Sequence, residues 1–474
     1  MLQAQRVMFM PLLLAASVLS QTTSLPPSPC GPTPNRNQLA WQRLQYYAFV
    51  HFGVNTFSDR EWGEGTEDPK SFNPTQLDCR QWVKAFKDAG MTGVILTAKH
   101  HDGFCLWPSK YTEHFVKNSP WKDGKGDVVK ELSEACKEYG LKFGLYCSPW
   151  DRHESTYGDS PKYNEHYIQQ LTELLTHYGP LFEVWWDGAC GEGPNGKKQV
   201  YDWDAFRKVV RKLQPKTVIF SDVGDVRWVG NEDGLAGETN WSTFASGKLQ
   251  PGQSNSNQAT GNEDGDRWAP TETDVSIRPG WFHHVSQDDQ VKSLDQLMTI
   301  YLSSIGRNAN LLLNVPADKR GLIHENDVAR LKEFRAEVDR IFKKDLAKGA
   351  RVSATSVRGH EAQFGAPNLT DGKTSTYWAT DDGITDGTLT VNLKKPTQVG
   401  YIGLAEYIPL GQRVRKFAID VWVDNAWKEV ATGTTIGYNR IVPIQSVMTD
   451  KIRVRILDAK ACLVIERVSA FPPR

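Results

Sequence analysis

The chain has 474 residues, more than one compact domain holds, and 39% are hydrophobic, enough for two good cores. Lys+Arg and Asp+Glu balance at 56 each, which removes the electrostatic case for a nucleic acid or an acidic membrane surface as partner. The 16 tryptophans are flat apolar faces of the kind that pack cores and also stack on the C–H faces of sugars.

From the start of the chain, Arg6 precedes an apolar stretch, 7–20, that is too short to span a bilayer comfortably and ends in small residues. It reads as a cleaved secretory signal over 1–20, with a retained anchor as the alternative. No later run is long and apolar enough to span, so the mature chain is expected without a membrane span, secreted or in a lysosome-like compartment. Short β-type segments then recur, each ending on polar or aromatic residues: 47–50 into His51, 93–98 into Lys99-His-His-Asp-Gly, 141–146 into Cys147-Ser-Pro-Trp-Asp, and 217–220 into Ser221-Asp222. Most telling is 182–188, Phe-Glu-Val-Trp-Trp-Asp-Gly, where an apolar run stops on Asp187. That is the place for a catalytic carboxylate at the C-terminal end of a barrel strand, although an Asp there also caps helices and turns. Helical patterns lie between these segments; Asp127 is an N-cap, Val128, Leu132, Ala135, Cys136 and Tyr139 share a face, and Gly140 is a stop. Strand, helix, strand at this spacing predicts parallel βαβ units.

A last amphipathic helix is predicted over 325–344, and helical patterning stops near 345–352. Beyond it, 389–393, 399–404, 417–423 and 452–457 alternate apolar and polar residues between turns, as in an antiparallel β-sandwich. The expected organisation is an α/β barrel, TIM-like (β/α)8 with room for irregularity, over 21–345, followed by a sandwich over 352–474. The seven cysteines are odd in number, and Cys-x-x-Cys spacing is absent, so they form neither a disulfide scaffold nor a zinc site. Asn240-Trp-Ser and Asn368-Leu-Thr are glycosylation sequons. A metal-dependent barrel hydrolase is the rival class. It is disfavoured because His-x-His is absent near the first strand, and His100 and His101 on a regular strand would point to opposite faces. No metal and no cofactor is expected.

Over nearly all of 40–345 the chain resembles glycoside hydrolase family 29, the α-L-fucosidases. His51-Phe-Gly-Val-Asn-Thr-Phe, Glu61-Trp-Gly, Leu96-Thr-Ala-Lys-His-His-Asp-Gly-Phe-Cys-Leu-Trp-Pro-Ser, Gly144-Leu-Tyr-Cys-Ser-Pro-Trp-Asp-Arg-His, Val184-Trp-Trp-Asp-Gly-Ala, Arg227-Trp-Val-Gly-Asn-Glu-Asp-Gly and Asp274-Val-Ser-Ile-Arg-Pro-Gly-Trp-Phe match its motifs in order. The Arg-Trp-x-Gly-Asn-Glu and Pro-Gly-Trp-Phe segments resemble a subgroup, secreted plant enzymes among it, that prefers α-1,3/1,4-linked fucose on branched, Lewis-type glycans. Trp186 and Cys147 depart slightly from that pattern.

The resemblance implies a retaining mechanism with Asp187 as nucleophile and Glu232 as acid/base. Glu238, Glu272 and Asp222 compete for the second role. It also implies that His51, His100, His101, Tyr146 and Arg227 bind sugar hydroxyls or the region of the nucleophile, and that Trp185 lines the pocket. Glu61, Trp62, Glu272 and Trp281 are candidates for the rim or aglycone subsite. The implied partner is a fucosylated oligosaccharide or glycoprotein glycan; a catalytically inactive glycan-binding protein is the alternative. Asn368-Leu-Thr-Asp-Gly-Lys-Thr-Ser-Thr-Tyr-Trp resembles, more loosely, the discoidin-like or factor 5/8-type sandwich, expected to pack against the barrel or to bind carbohydrate.

Overall fold

A computed structural model describes residues 24–247 and 257–474; the expected signal segment lies outside the described residues. Eight strands form the first sheet: β1 (Tyr46–Val50), β2 (Gly93–Lys99), β3 (Lys142–Cys147), β4 (Glu183–Trp185), β5 (Val218–Phe220), β6 (Arg227–Trp228), β7 (Thr271–Ser276) and β8 (Ala309–Asn314). Their order is β5-β4-β3-β2-β1-β8-β7-β6, and every neighbouring pair is parallel. The two ends of the sheet meet in a parallel bridge between Phe220 and Val226, which makes a nearly closed barrel. Every residue of β1, β2 and β8 is buried, because these strands carry the barrel's interior on one face and its helices on the other.

Six helices clothe the barrel: α1 (Cys79–Asp88), α2 (Val128–Tyr139), α3 (Ser160–His177), α4 (Trp203–Leu213), α5 (Leu294–Ser303) and α6 (Glu325–Phe342). In α2 the Asp127 carboxylate accepts from the Lys130 N–H at 2.9 Å, and Gly140, at φ 77°, ends the helix in the left-handed region. Val128, Leu132, Ala135 and Cys136 form its buried stripe. Among the described residues, the β5–β6 and β6–β7 connections carry no such helix. A short helix, Arg36–Gln42, closes the floor: Trp41 donates to Glu183 at 2.7 Å, and Gln38 reaches the Asp225 and Trp268 carbonyls.

The C-terminal sandwich comprises β9 (Arg351–Ala354), β10 (Trp378–Ala379), β11 (Gly387–Glu406), β12 (Val414–Val423), β13 (Ala426–Gly433), β14 (Arg440–Ala459) and β15 (Val464–Phe471). All pairings are antiparallel. Register shifts along β11 at Asn392/Thr397 and Val399/Tyr401 let this long strand bend from one face to the other. The sandwich is not a free appendage, because the Phe342 ring of α6 packs on Tyr401 and Phe471 with centroids 5.4 and 5.2 Å away. Burying one such aromatic side chain is worth roughly 1.5–3 kcal/mol.

Candidate active site

The site forms where the C-terminal ends of the strands converge. Asp187 follows β4, and its carboxylate accepts from the Tyr146 hydroxyl at 3.0 Å and from the Ala189 N–H at 2.8 Å. Burial, and then the Asp187 charge, raise the Tyr146 pKa well above the usual phenol value, so this hydroxyl remains a donor. His101 stands on the other side, its Nε2 3.7 Å from Asp187 Oδ2. Its Nδ1 contacts Ser148 Oγ at 2.7 Å; that hydroxyl donates to the Trp150 carbonyl at 2.8 Å, so it accepts from the ring. Burial lowers the His101 pKa although Asp187 opposes it. The neutral ring therefore leaves Nε2 as an acceptor beside the Asp187 carboxylate, another acceptor, so both stand ready for hydroxyl donors.

His51 is oriented the same way by another partner. Asn314 donates its amide N–H to Ser276 Oγ at 2.9 Å and to the Trp281 carbonyl at 2.8 Å, which leaves Oδ1 to accept from His51 Nδ1 at 2.8 Å. Burial lowers the His51 pKa to about 3, so the ring is neutral and its Nε2 is free to accept. His100 lies between the two, its ring 4.1 Å from His101 and 5.6 Å from His51, with its pKa pushed well below the usual range by burial. The opposite-faces rule for a regular strand does not reach His100 and His101, because β2 ends at Lys99 and both histidines lie beyond it. Lys99 takes the outward direction and pairs with Asp151 at 2.8 Å.

The competing carboxyls separate by their surroundings. Glu232 accepts from Trp281 Nε1 at 3.1 Å; its pKa is raised by desolvation, the indole lowers it, and the nearby Asp187 charge raises it further. In Glu238, partial burial is outweighed by Arg440 and Arg307, so its pKa falls, and its carboxylate is turned away to those two arginines. Asp222 is buried against Gln258, and burial raises its pKa to about 6.

Glu272 corrects an expectation. It is sealed inside the barrel rather than placed on the rim, accepting from Tyr47 and, at 2.8 Å, from Trp185 Nε1. Burial raises its pKa to about 7. Glu183 beside it is driven well above the carboxylate range by burial and by the Glu272 charge. The reason is register: Glu272 is the second residue of β7, far from the strand's mouth end.

Arg227 corrects another. Its guanidinium donates to the Gln258 carbonyl at 2.9 Å, to the Ala269 carbonyl and to Asn240 Oδ1 at 2.7 Å, so each of its nitrogens serves the β6–β7 connection, and the side chain is fully buried there rather than exposed at the mouth. Its neighbour Trp228 takes the inward direction, donating to Asp274 at 2.7 Å. Of the remaining candidates, Trp185 lies flat on Phe220 with centroids 4.0 Å apart and packs against Tyr146 at 5.3 Å. Glu61 clamps the loop beyond β7, accepting from the Trp281 N–H at 2.7 Å and the Phe282 N–H at 3.2 Å. Trp281 stands 5.1 Å from the His51 ring, and Trp62, 56% exposed, 5.7 Å from the His101 ring.

Sequence reasoning missed Asn314, Ser148, Trp228 and Asp274. Asn314 carried a signal, since Leu-Leu-Leu-Asn closes β8 on a polar residue much as Val-Trp-Trp-Asp runs from β4 into Asp187. Among the described residues, one group has ligand atoms close enough to hold an ion, His283, Asp288 and His324 within 4.8 Å, and it includes none of the residues around Asp187. Arg278 already donates to Asp288 at 2.9 Å. No helix among the described residues is long and apolar enough to cross a membrane. The seven cysteines are all unpaired.

Comparison with known proteins agrees with this geometry. The α-L-fucosidase family model matches residues 34–336, and the F5/8 type C domain model matches 351–467. The chain is 45% identical over 447 residues to alpha-L-fucosidase 1 of Arabidopsis thaliana, covering 93% of this chain and 88% of that protein. Its fold superposes on the crystal structure of SpGH29 with TM-score 0.90 and 39% identity, covering 95% of this chain and 100% of the other. A Ruminococcus gnavus family 29 fucosidase in complex with fucose gives TM-score 0.88 and 34% identity, covering 95% and 97%. The chain belongs to the α-L-fucosidases of glycoside hydrolase family 29 and is a glycoside hydrolase.

Proposed function

We propose that the protein removes terminal α-1,3/1,4-linked L-fucose from branched, Lewis-type glycans by double displacement, with Asp187 as nucleophile and Glu232 as acid/base. The observation that carries this reading is the contrast between the two loop glutamates: Glu232 accepts a single indole N–H from Trp281 and has no cation on it among the described residues, whereas Glu238 is paired with Arg440 and Arg307, and the directions of their pKa shifts agree. In the first step the Asp187 carboxylate attacks the anomeric carbon, the glycosidic C–O bond breaks, and the Glu232 proton passes to the departing oxygen. In the second, Glu232 takes a proton from water, the resulting oxygen attacks the same carbon, and Asp187 leaves. The bare Nε2 atoms of His51 and His101 suit sugar hydroxyl donors, and the Tyr146 hydroxyl steadies the Asp187 charge before the first step and again as the carboxylate departs in the second.

The branched-glycan preference is supported by the meeting of two segments around Glu232. Trp281, from one segment, donates its indole N–H to Glu232, and Trp228, from the other, donates its own to Asp274. Such walls accept the apolar faces of a second and third sugar. The apolar leader supports a secreted or lysosome-like location as part of the same proposal.

NMR of the first sugar released from a Lewis trisaccharide, an unbranched fucosyl disaccharide and 2′-fucosyllactose tests mechanism and linkage together. The expected result is α-L-fucose before mutarotation, with the branched substrate favoured by roughly ten- to a hundred-fold in kcat/KM. β-Fucose as first product overturns the mechanism. Equal rates on branched and unbranched substrates, or faster α-1,2 cleavage, overturn the linkage preference alone.

A further inference from the structure

The loop that carries Glu232 is gripped from outside the barrel. Around the acid, the turn is stapled by Asn231, whose Oδ1 accepts from the Asp233 and Leu235 N–H groups at 3.1 and 3.3 Å and whose amide donates to the Leu235 carbonyl at 2.9 Å. Gly234, at φ +75°, closes the turn against Val275, where an added Cβ would come within 2.8 Å of that side chain. Immediately downstream, 238–242 keeps bonds to the barrel, Asn308 donating to the Asn240 carbonyl and to Ser242 Oγ at 3.0 Å each, and also bonds to the sandwich. The Asn240 N–H donates to Thr435 Oγ1 at 2.8 Å, Gln412 donates to the Asn240 carbonyl at 3.0 Å and accepts from the Ser242 N–H at 2.7 Å. Thr239 bonds Thr434 at 2.9 Å, and Arg440 holds the Glu238 carboxylate at 2.5 Å and its carbonyl at 3.1 Å.

This junction is sealed from solvent: Asn240, Gln412 and Thr435 are each no more than 2% exposed. Unmade hydrogen bonds there would leave buried polar groups without partners, so the contacts are obligatory rather than incidental. From beneath, Arg227 grips the same Asn240 side chain, whose amide in turn donates to the Arg307 carbonyl at 2.7 Å. With both its oxygen and its nitrogen engaged inside the protein, the Asn240 sequon offers no free amide for a glycan in the folded state.

We infer that Gln412 and Thr435 of the sandwich are positioning residues for Glu232, so that the C-terminal module serves catalysis by fixing the reach of the acid/base loop. This rests on the assignment of Glu232 as acid/base. Neither residue touches substrate; each acts through the backbone of 240–242. Misplacing a proton donor slows substrates whose leaving group needs the proton and spares those that do not.

The test uses full-length enzyme carrying Gln412→Ala and Thr435→Ala together, assayed on a fucosylated oligosaccharide and on a nitrophenyl fucoside. The expected result is a loss in kcat/KM of about ten-fold on the oligosaccharide and under about two-fold on the aryl substrate. In a Glu232→Ala background the pair produces no further selective loss, because there is no acid left to misplace. Thr435→Ser, which keeps the accepting hydroxyl, retains the wild-type ratio. Thr435→Ala alone carries the same expectation in smaller measure where the pair does not fold. Equal losses on both substrates, or a selective loss that persists without Glu232, overturn the positioning role. A Glu232→Ala enzyme that loses both substrates equally overturns the acid/base assignment itself, and the positioning role with it.

Discussion

Asp187 and Glu232 stand at the mouth of the barrel, where Asp187 keeps 26% of its side chain exposed and Glu232 lies on a loop within reach of its charge. One level down the same barrel, Glu183 and Glu272 are fully buried against Trp41, Tyr47 and Trp185. Both pairs set carboxyl against carboxyl, yet their partners differ. The mouth pair is asymmetric: two donors fix Asp187 while a single indole serves Glu232, and unequal surroundings let one group act as base or nucleophile while the other holds a proton. The floor pair has both pKa values raised and no cation among the causes, so burial favours the protonated forms, whose oxygens accept from indole and phenol donors. Chemistry follows from the access and inequality of the groups, not from their presence.

The largest effect that would break this contrast concerns the nucleophile. Asp187→Ala is expected to lower kcat by at least about 10⁴-fold, with azide restoring part of it as a fucosyl azide product. Glu272→Gln, which retains an oxygen for its donors, is expected to stay within about tenfold of wild type. Comparable losses in the two variants, measured by steady-state kinetics, would erase the distinction.

Next in size is the acid/base. Glu232→Ala should cost about 10²–10⁴-fold on oligosaccharides and far less on aryl fucosides. Because the Glu232 pKa is raised, the protonated acid persists as pH climbs, and kcat/KM falls only once pH passes that value. Glu232→Gln therefore removes the alkaline limb of the pH profile, and Glu238→Ala retains it.

The smallest expected effect is on stability and belongs to the floor pair. A carboxyl whose folded pKa is raised contributes stability that is present below its unfolded pKa and lost as pH rises through the folded one. For Glu272 the window runs from about 4.5, its ordinary value, to about 7, with a slope of at most about 1.4 kcal/mol per pH unit. Thermal melts across that range should show Glu272→Gln flattening the decline that wild type displays. A steeper decline in the variant would mean that the floor pair is ionised and stabilising.

Local signals in the sequence carried the architecture. Asp127 and Gly140 bound a helix because a cap and a left-handed stop act within one turn of chain, and Val184-Trp-Trp-Asp marks a strand end because burial and its interruption are sequential facts. The errors came where a side chain's direction is set by distant partners. Arg227 reads as a sugar ligand until the carbonyls of Gln258 and Ala269 are seen to take its guanidinium, and those residues lie 31 and 42 positions away. Glu272 reads as a rim residue because nothing local reveals its depth in β7. For His100 and His101 the opposite-faces rule does not apply, because it holds on a regular strand and β2 ends before both. The grip of Gln412 and Thr435 on Asn240 spans 172 and 195 positions, and no pattern in either segment announces it.

The central claim is that the carboxylate of Asp187 becomes bonded to the sugar. A 2-deoxy-2-fluoro-fucosyl fluoride slows both steps and the second more, which accumulates the intermediate for digestion and peptide mass spectrometry. The account predicts one equivalent of fluorofucosyl adduct, located on Asp187, with Glu232→Ala enzyme labelled at the same residue. An adduct on Glu232, Asp222 or Asp274, or inactivation with no adduct at all, would contradict it.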